Sequence, residues 1–347
     1  MMTNTINISE RMQHYKIPGL SIASFHNGRI ETQEFGVLEV GTNRKVDKQS
    51  IFSSCSISKL VASLIVLKLT RQGNLSLDEN INNILTSWKV PPSDFTTRKH
   101  VTLRNLLSHQ SGFIDPAGSF SEYTETLGIP SMIDLLEGKT PYCKKSIQVT
   151  YEPESEFHYS DINFCMIQQI IEDVTGQSFE KIVQDLIFDP LHMKNSYFPF
   201  HNLKGNYNNF ACGHDKKGHV INEKYPFYPY AAAAGIWTTP SDLASVVLEI
   251  INSLKGKSNL GYSEKLMREM ITPQGCSPWT GLGVFLDNSN DNLEISSFGW
   301  GIGFQCMIVF YPHKETGVII MTNADTGVHQ IKGIIGEIIE AAFPLTK

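Results

Sequence analysis

Between Ser56 and about Arg71 the chain enters a long apolar run carrying Leu60, Val61, Leu64, Ile65, Leu67 and Leu69. Gly73 follows where a helix would end with a left-handed residue. A helix that is apolar nearly all round has no face to offer water. It must lie at the centre of the molecule, with the remaining elements wrapped around it. A chain of 347 residues has enough length to do this as one large or two moderate domains.

The flanking pattern shows what does the wrapping. Residues 18–25 and 29–36 read as two short strands joined by the hairpin signal His26-Asn27-Gly28. From 78 to 250 the pattern is mostly helical with long irregular connections. Leu103–Leu107, Asn163–Val174, Ser178–Ile187 and Asp242–Ser253 read as helices. Strand patterns return at 281–287, 304–311 and 317–323, before a terminal helix over about 328–342. The expected fold is therefore α/β of the α+β type, an antiparallel sheet flanked by helices with a mostly helical region inserted. Residues 1–60 and 235–347 would form the sheet domain and 61–234 the helical one, with a site at their junction.

Charge and composition exclude other classes. Charged residues make up 18% of the chain and the net charge is -6, with no basic stripe for nucleic acid. No apolar stretch approaches the length of a membrane span. The opening Met1-Met2-Thr3-Asn4-Thr5 lacks a basic n-region and an apolar h-region, so a cytoplasmic location is expected. The six cysteines are widely spaced, which fits reduced thiols better than a disulfide framework. His192, His214 and His219 lack ligand spacing, so no metal is expected.

The central helix opens with Ser56-Ile57-Ser58-Lys59. A spacing of three puts Lys59 on the same face as Ser56, one turn away. Burial disfavours an ammonium and suits a proton acceptor, while the helix start offers N–H groups to a developing oxyanion. A serine N-cap with a lysine snorkelling to solvent explains the same four residues equally well. A second Ser-x-x-Lys, Ser178-Phe179-Glu180-Lys181, reads as a plain helix cap with a solvated lysine.

Six boxes in order break the tie. They are Pro18-Gly19-Leu20-Ser21-Ile22-Ala23, Phe52 to Lys59, Leu75 to Glu79, Leu103 to Gly112, Phe157-His158-Tyr159-Ser160-Asp161, and Ala234 to Leu243. Together they resemble the class C β-lactamase and D-Ala-D-Ala carboxypeptidase group, with its esterase and peptidase relatives. The resemblance implies a β-lactamase/transpeptidase-like fold and a serine acyl hydrolase without a cofactor, acting on a small-molecule or short-peptide acyl substrate. Ser56 would form the acyl-enzyme, and Tyr159 with Lys59 would move its proton.

Two departures from the family pattern matter. Asp161 stands where the second box normally ends in Asn. Lys314-Glu315-Thr316-Gly317 resembles the third box but reads as a hairpin turn. Counting back from Trp300-Gly301-Ile302-Gly303-Phe304 puts Ser297-Phe298-Gly299 there instead, so a serine replaces the usual cation. Asp161, Ser297, Phe298 and Gly299 would bind substrate, with Gly299 admitting it close to the backbone. The N–H groups of Ser56 and Trp300 would form the oxyanion hole. The missing cation and the added carboxylate both disfavour phenolate at Tyr159, which implies an alkaline optimum and weak β-lactam turnover. An acyltransferase, or a non-catalytic binding protein on the same scaffold, are the competing readings. His109 is expected to order a loop, and His158 to point away from the site.

Overall fold

A computed structural model describes residues 6–199, 207–289 and 292–343. Six strands form one antiparallel sheet: β1 Gly19–His26, β2 Arg29–Gly36, β5 Phe285–Asp287, β6 Glu294–Gly301, β7 Phe304–Tyr311 and β8 Thr316–Thr322, in the order β2-β1-β8-β7-β6-β5. The two short strands β3 Phe52–Ser53 and β4 Trp237–Thr238 pair separately. The sheet is thus built from both ends of the chain, as the strand pattern implied. The β1–β2 hairpin turns at Asn27 and Gly28, both in the left-handed region that a two-residue turn of this kind requires.

Period-two alternation assigns each sheet face its own core. Leu20, Ile22, Met307, Val309, Val318 and Ile320 pack beneath two helices, Ile8–Tyr15 and Ile334–Ala342. Ala23, Phe25, Cys306, Ile308, Phe310, Ile319 and Met321 join the main core on the other face. That core contains the helices Pro240–Leu254 and Ser58–Arg71. From Ser58 to Leu67 every residue of the central helix is buried. Its end is capped at Gln72, with Gly73 left-handed beyond it.

Several sequence expectations needed adjustment. Ser56 lies in a 3₁₀ turn, Cys55–Ile57, that precedes the α-helix proper. The strand expected over 281–287 shortens to Phe285–Asp287, because Gly283 is left-handed and the segment before it turns. The terminal helix starts at Ile334, after a 3₁₀ turn. Lys314 ends the turn joining β7 to β8, where Glu315 has a positive φ. It does not stand at the site.

Two contacts fix the nucleophile segment against its surroundings. Ser54 bonds Ile236 twice, through N–H and Oγ, and the Ile236 N–H bonds Ser58 Oγ in return. On the other side β6 passes so closely that a Cβ on Gly299 would sit 2.3 Å from both the Ser54 carbonyl and Cys306 Sγ. The close approach that Gly299 permits here is to the backbone of the Ser56 segment. Gly299→Ala is expected to cost about 1–3 kcal/mol through overpacking. A lowered Tm would show it, and an unchanged Tm would mean β6 can move away freely.

Candidate active site

Ser56, Lys59, Tyr159, His109, Ser297 and Phe298 line one cleft. The 3₁₀ turn Cys55–Ile57 supplies Ser56, and the central helix that follows it supplies Lys59. The loop before the Ile162–Thr175 helix supplies Tyr159 and Asp161, and β6 supplies Ser297 and Phe298. Gly299 meets Ser54 and Gly301 meets Cys55 Sγ, so the Trp300 peptide between them runs alongside the turn that carries Ser56. The Trp300 side chain is 42% exposed, and its indole N–H donates to Asp325 at 2.9 Å.

Lys59 is buried, yet all three of its N–H donors are used. Nζ lies 3.0 Å from Ser56 Oγ, 2.6 Å from Asp161 Oδ1 and 2.9 Å from the Ala233 carbonyl. Three acceptors satisfy an ammonium fully. Burial works to lower the lysine pKa, but the charge of Asp161 and the contacts with Asp161 and Tyr159 outweigh it, and the net direction is up. Lys59 in the resting site is therefore a cation, not the free amine that burial alone would produce.

Tyr159 has 44% of its residue surface exposed and lines the cleft beside Ser56 and Lys59. Lys59 Nζ lies 5.1 Å from the ring centroid. Burial raises the phenol pKa and Asp161 adds to the rise, opposed by Lys59 and by hydrogen bonding with Ser56. The net direction is again up.

Asp115 went unread in the sequence. Its half-buried carboxylate accepts from Ser160 Oγ at 2.6 Å and from the N–H groups of Asp161 and Ile162 at 2.8 and 3.1 Å. It thereby caps a helix whose own N-cap side chain, Asp161, makes no capping bond and holds Lys59 instead. Burial and the neighbouring Asp161 charge raise the Asp115 pKa, and the three donors offset part of that rise. An aspartate in an irregular loop carries no local signal that it caps a distant helix.

The remaining expectations fall as follows. Ser178 caps its helix through Lys181 N–H, and Lys181 pairs with Asp185 on the surface. His158 turns to Glu156 at 3.0 Å. Among the described residues, no three His, Cys, Asp or Glu side chains gather as a metal site. Among the same residues, no helix is long and apolar enough to cross a membrane.

The Beta-lactamase family profile matches residues 6–341. The chain belongs to this family. Protein flp of Staphylococcus aureus is 24% identical over 329 residues, which cover 92% of this chain and 62% of flp. The chain thus spans under two thirds of that relative's length. Among solved members of the fold, the octameric penicillin-binding protein homologue from Pyrococcus abyssi superposes with a TM-score of 0.76 at 24% identity, covering 92% of this chain and 72% of that one. D-amino acid amidase from Ochrobactrum anthropi SV3, complexed with L-phenylalanine amide, superposes with a TM-score of 0.78 at 19% identity, covering 96% and 95%. These likenesses confirm for the family the expected antiparallel sheet with flanking helices.

Proposed function

We propose that this chain is a serine hydrolase that forms an acyl-enzyme at Ser56 on uncharged esters or amides. The observation that carries the proposal is the saturated Lys59 ammonium, donating at once to Ser56 Oγ, Asp161 and Ala233. A lysine already holding its proton cannot take one from Ser56. The proton therefore goes to the phenolate form of Tyr159, which the Lys59 ammonium stabilises, and from there to the alcohol or amine that leaves as the Ser56 ester forms. The N–H groups of Ser56 and Trp300 receive the oxyanion. Tyr159 then activates water for deacylation. Because the phenol pKa is raised, the proposal includes an activity that climbs toward alkaline pH.

Substrate charge follows from the third box. Ser297 lines the cleft where a cation would otherwise receive a substrate carboxylate, and Lys59 is the only Lys or Arg among the described lining residues. A charge-assisted hydrogen bond is worth about 1.5–3 kcal/mol, so its absence weakens recognition of an anionic β-lactam by about 10- to 100-fold. Short amides and esters lose nothing by it. The amidase likeness supports the amide half of this substrate class. The six unpaired cysteines, five of them buried, support a cytoplasmic location as part of the proposal.

The direct test is a panel of p-nitrophenyl esters, D-amino-acid amides and nitrocefin. Ester or amide turnover is expected to exceed nitrocefin turnover in kcat/KM. A nitrocefin value above every ester and amide would overturn the substrate assignment.

A further inference from the structure

The loop that carries Tyr159 has no regular structure of its own, and a half-exposed tyrosine is poorly held by burial alone. Its place must be set by neighbours. One residue contacts three consecutive positions of that loop. The His109 carbonyl accepts the His158 N–H at 2.9 Å. The His109 ring stacks on the Tyr159 ring, with centroids 4.3 Å apart and an interplanar angle of 29°. His109 Nδ1 accepts the Ser160 N–H at 3.2 Å.

We propose that His109 is a positioning residue for the Tyr159 phenol, holding residues 158–160 by two backbone hydrogen bonds and one stacked ring. The inference rests on the reading of Tyr159 as the proton acceptor. His109 follows the Leu103–Leu107 helix and adopts φ +58, a backbone state that few side chains favour. That conformation lets one residue present its carbonyl and its ring to the same loop.

The tautomer follows from the neighbours. A backbone N–H can only donate, so Nδ1 facing Ser160 N–H is the unprotonated acceptor. Asn163 Nδ2 lies 3.3 Å from the same nitrogen. The Asn163 amide is itself oriented by Ser111 Oγ, which donates to Oδ1 at 2.6 Å. The proton is therefore on Nε2. Burial, reinforced by the Lys59 charge, lowers the His109 pKa to about 3, so the ring stays neutral throughout the working range. A ring that never charges does not carry protons. The titrating groups facing the phenol are Lys59 from the central helix and Asp161 from its own loop, with Asp115 behind them.

The test compares His109→Ala, His109→Asn and His109→Phe, each checked by circular dichroism and thermal melting. Asparagine tolerates the left-handed backbone and offers an oxygen acceptor. Phenylalanine keeps a ring and loses the acceptor. Measurements are kcat and KM for a p-nitrophenyl ester across pH, with fluorophosphonate labelling of Ser56 alongside. Displacing a reacting group by about 1 Å costs up to about 100-fold, so His109→Ala is expected to lower kcat by about 10- to 100-fold with KM changed less than about threefold. The alkaline limb should move to higher pH as the phenol leaves Lys59. His109→Asn and His109→Phe should each recover part of the loss, and labelling of Ser56 should persist in all three. A folded His109→Ala with wild-type kcat and pH profile would overturn the positioning role. Should that variant not fold, wild-type kcat and pH profile in both Asn and Phe variants would overturn it. Absence of labelling in the wild-type protein would instead overturn the acyl-enzyme reading, which keeps the two failures apart.

Discussion

Ser56→Ala is expected to abolish fluorophosphonate labelling and to lower ester turnover by about 10⁴-fold or more, the order found when a nucleophile of a coupled catalytic unit is removed. The prediction is specific because the neighbouring serines are already committed. Ser54 Oγ bonds the Ile236 carbonyl at 2.8 Å, and Ser58 Oγ donates to the Cys55 carbonyl at 2.7 Å. Both are fully buried. Ser56 alone of the three borders the cleft, within reach of the Lys59 ammonium. The other Ser-x-x-Lys serine, Ser178, caps a surface helix.

The substitution should leave the fold intact. Lys59 loses one acceptor and keeps Asp161 and Ala233. One hydrogen bond of this kind contributes about 1–3 kcal/mol, so Tm should fall only by a few degrees. Labelling that survives in a folded Ser56→Ala protein would place the nucleophile elsewhere and remove the basis of the proposed function.

What could be read in advance divides along a physical line. Patterns that depend on near neighbours in sequence were legible. The strand β1, the Asn27-Gly28 turn and the Leu103–Leu107 helix all appear where the residues implied them. The apolar run to Leu69 forecast a buried central helix, and its burial left Lys59 in need of partners. The identity of those partners was harder to read. Ala233 offers only a backbone carbonyl, and Asp161 is held by Asp115, which caps its helix from 46 residues away. The Ile8–Tyr15 helix also escaped notice, because only Ile8 and Met12 of its eight residues are buried. Gly299 shows the remaining limit: a glycine announces a close approach but not what approaches, and here it is the Ser54 carbonyl.

Asp161→Asn is expected to move the pH profile of turnover to lower pH and to destabilise the protein at neutral pH. Burial is the largest influence on Lys59 and acts to lower its pKa; the Asp161 charge and hydrogen bond, with Tyr159, reverse that direction. Removing the carboxylate leaves burial opposed mainly by Tyr159, so the lysine pKa falls, yet the ammonium persists at neutral pH to stabilise the phenolate. The same carboxylate raises the phenol pKa, and its loss lowers that too. Both groups then release their protons earlier. A contact charge shifts a pKa by about 1–3 units, so the optimum should move down by about 1 unit and the neutral-pH rate should rise by about tenfold. The stability effect has the opposite sense. A lysine whose folded pKa is raised adds stability that is fully present below its ordinary value of 10.5 and fades as pH climbs through the folded value. At neutral pH the variant forfeits all of it. Breaking a fully buried pair costs about 3–5 kcal/mol, but the Asp161 side chain keeps 30% of its surface in solvent, so about 2 kcal/mol is expected. Denaturant melts should therefore show wild type and variant furthest apart at neutral pH and converging in strong alkali. A rate profile that stays in place, or moves to higher pH, would mean that the Asp161 carboxylate does not govern the ionisation of Tyr159.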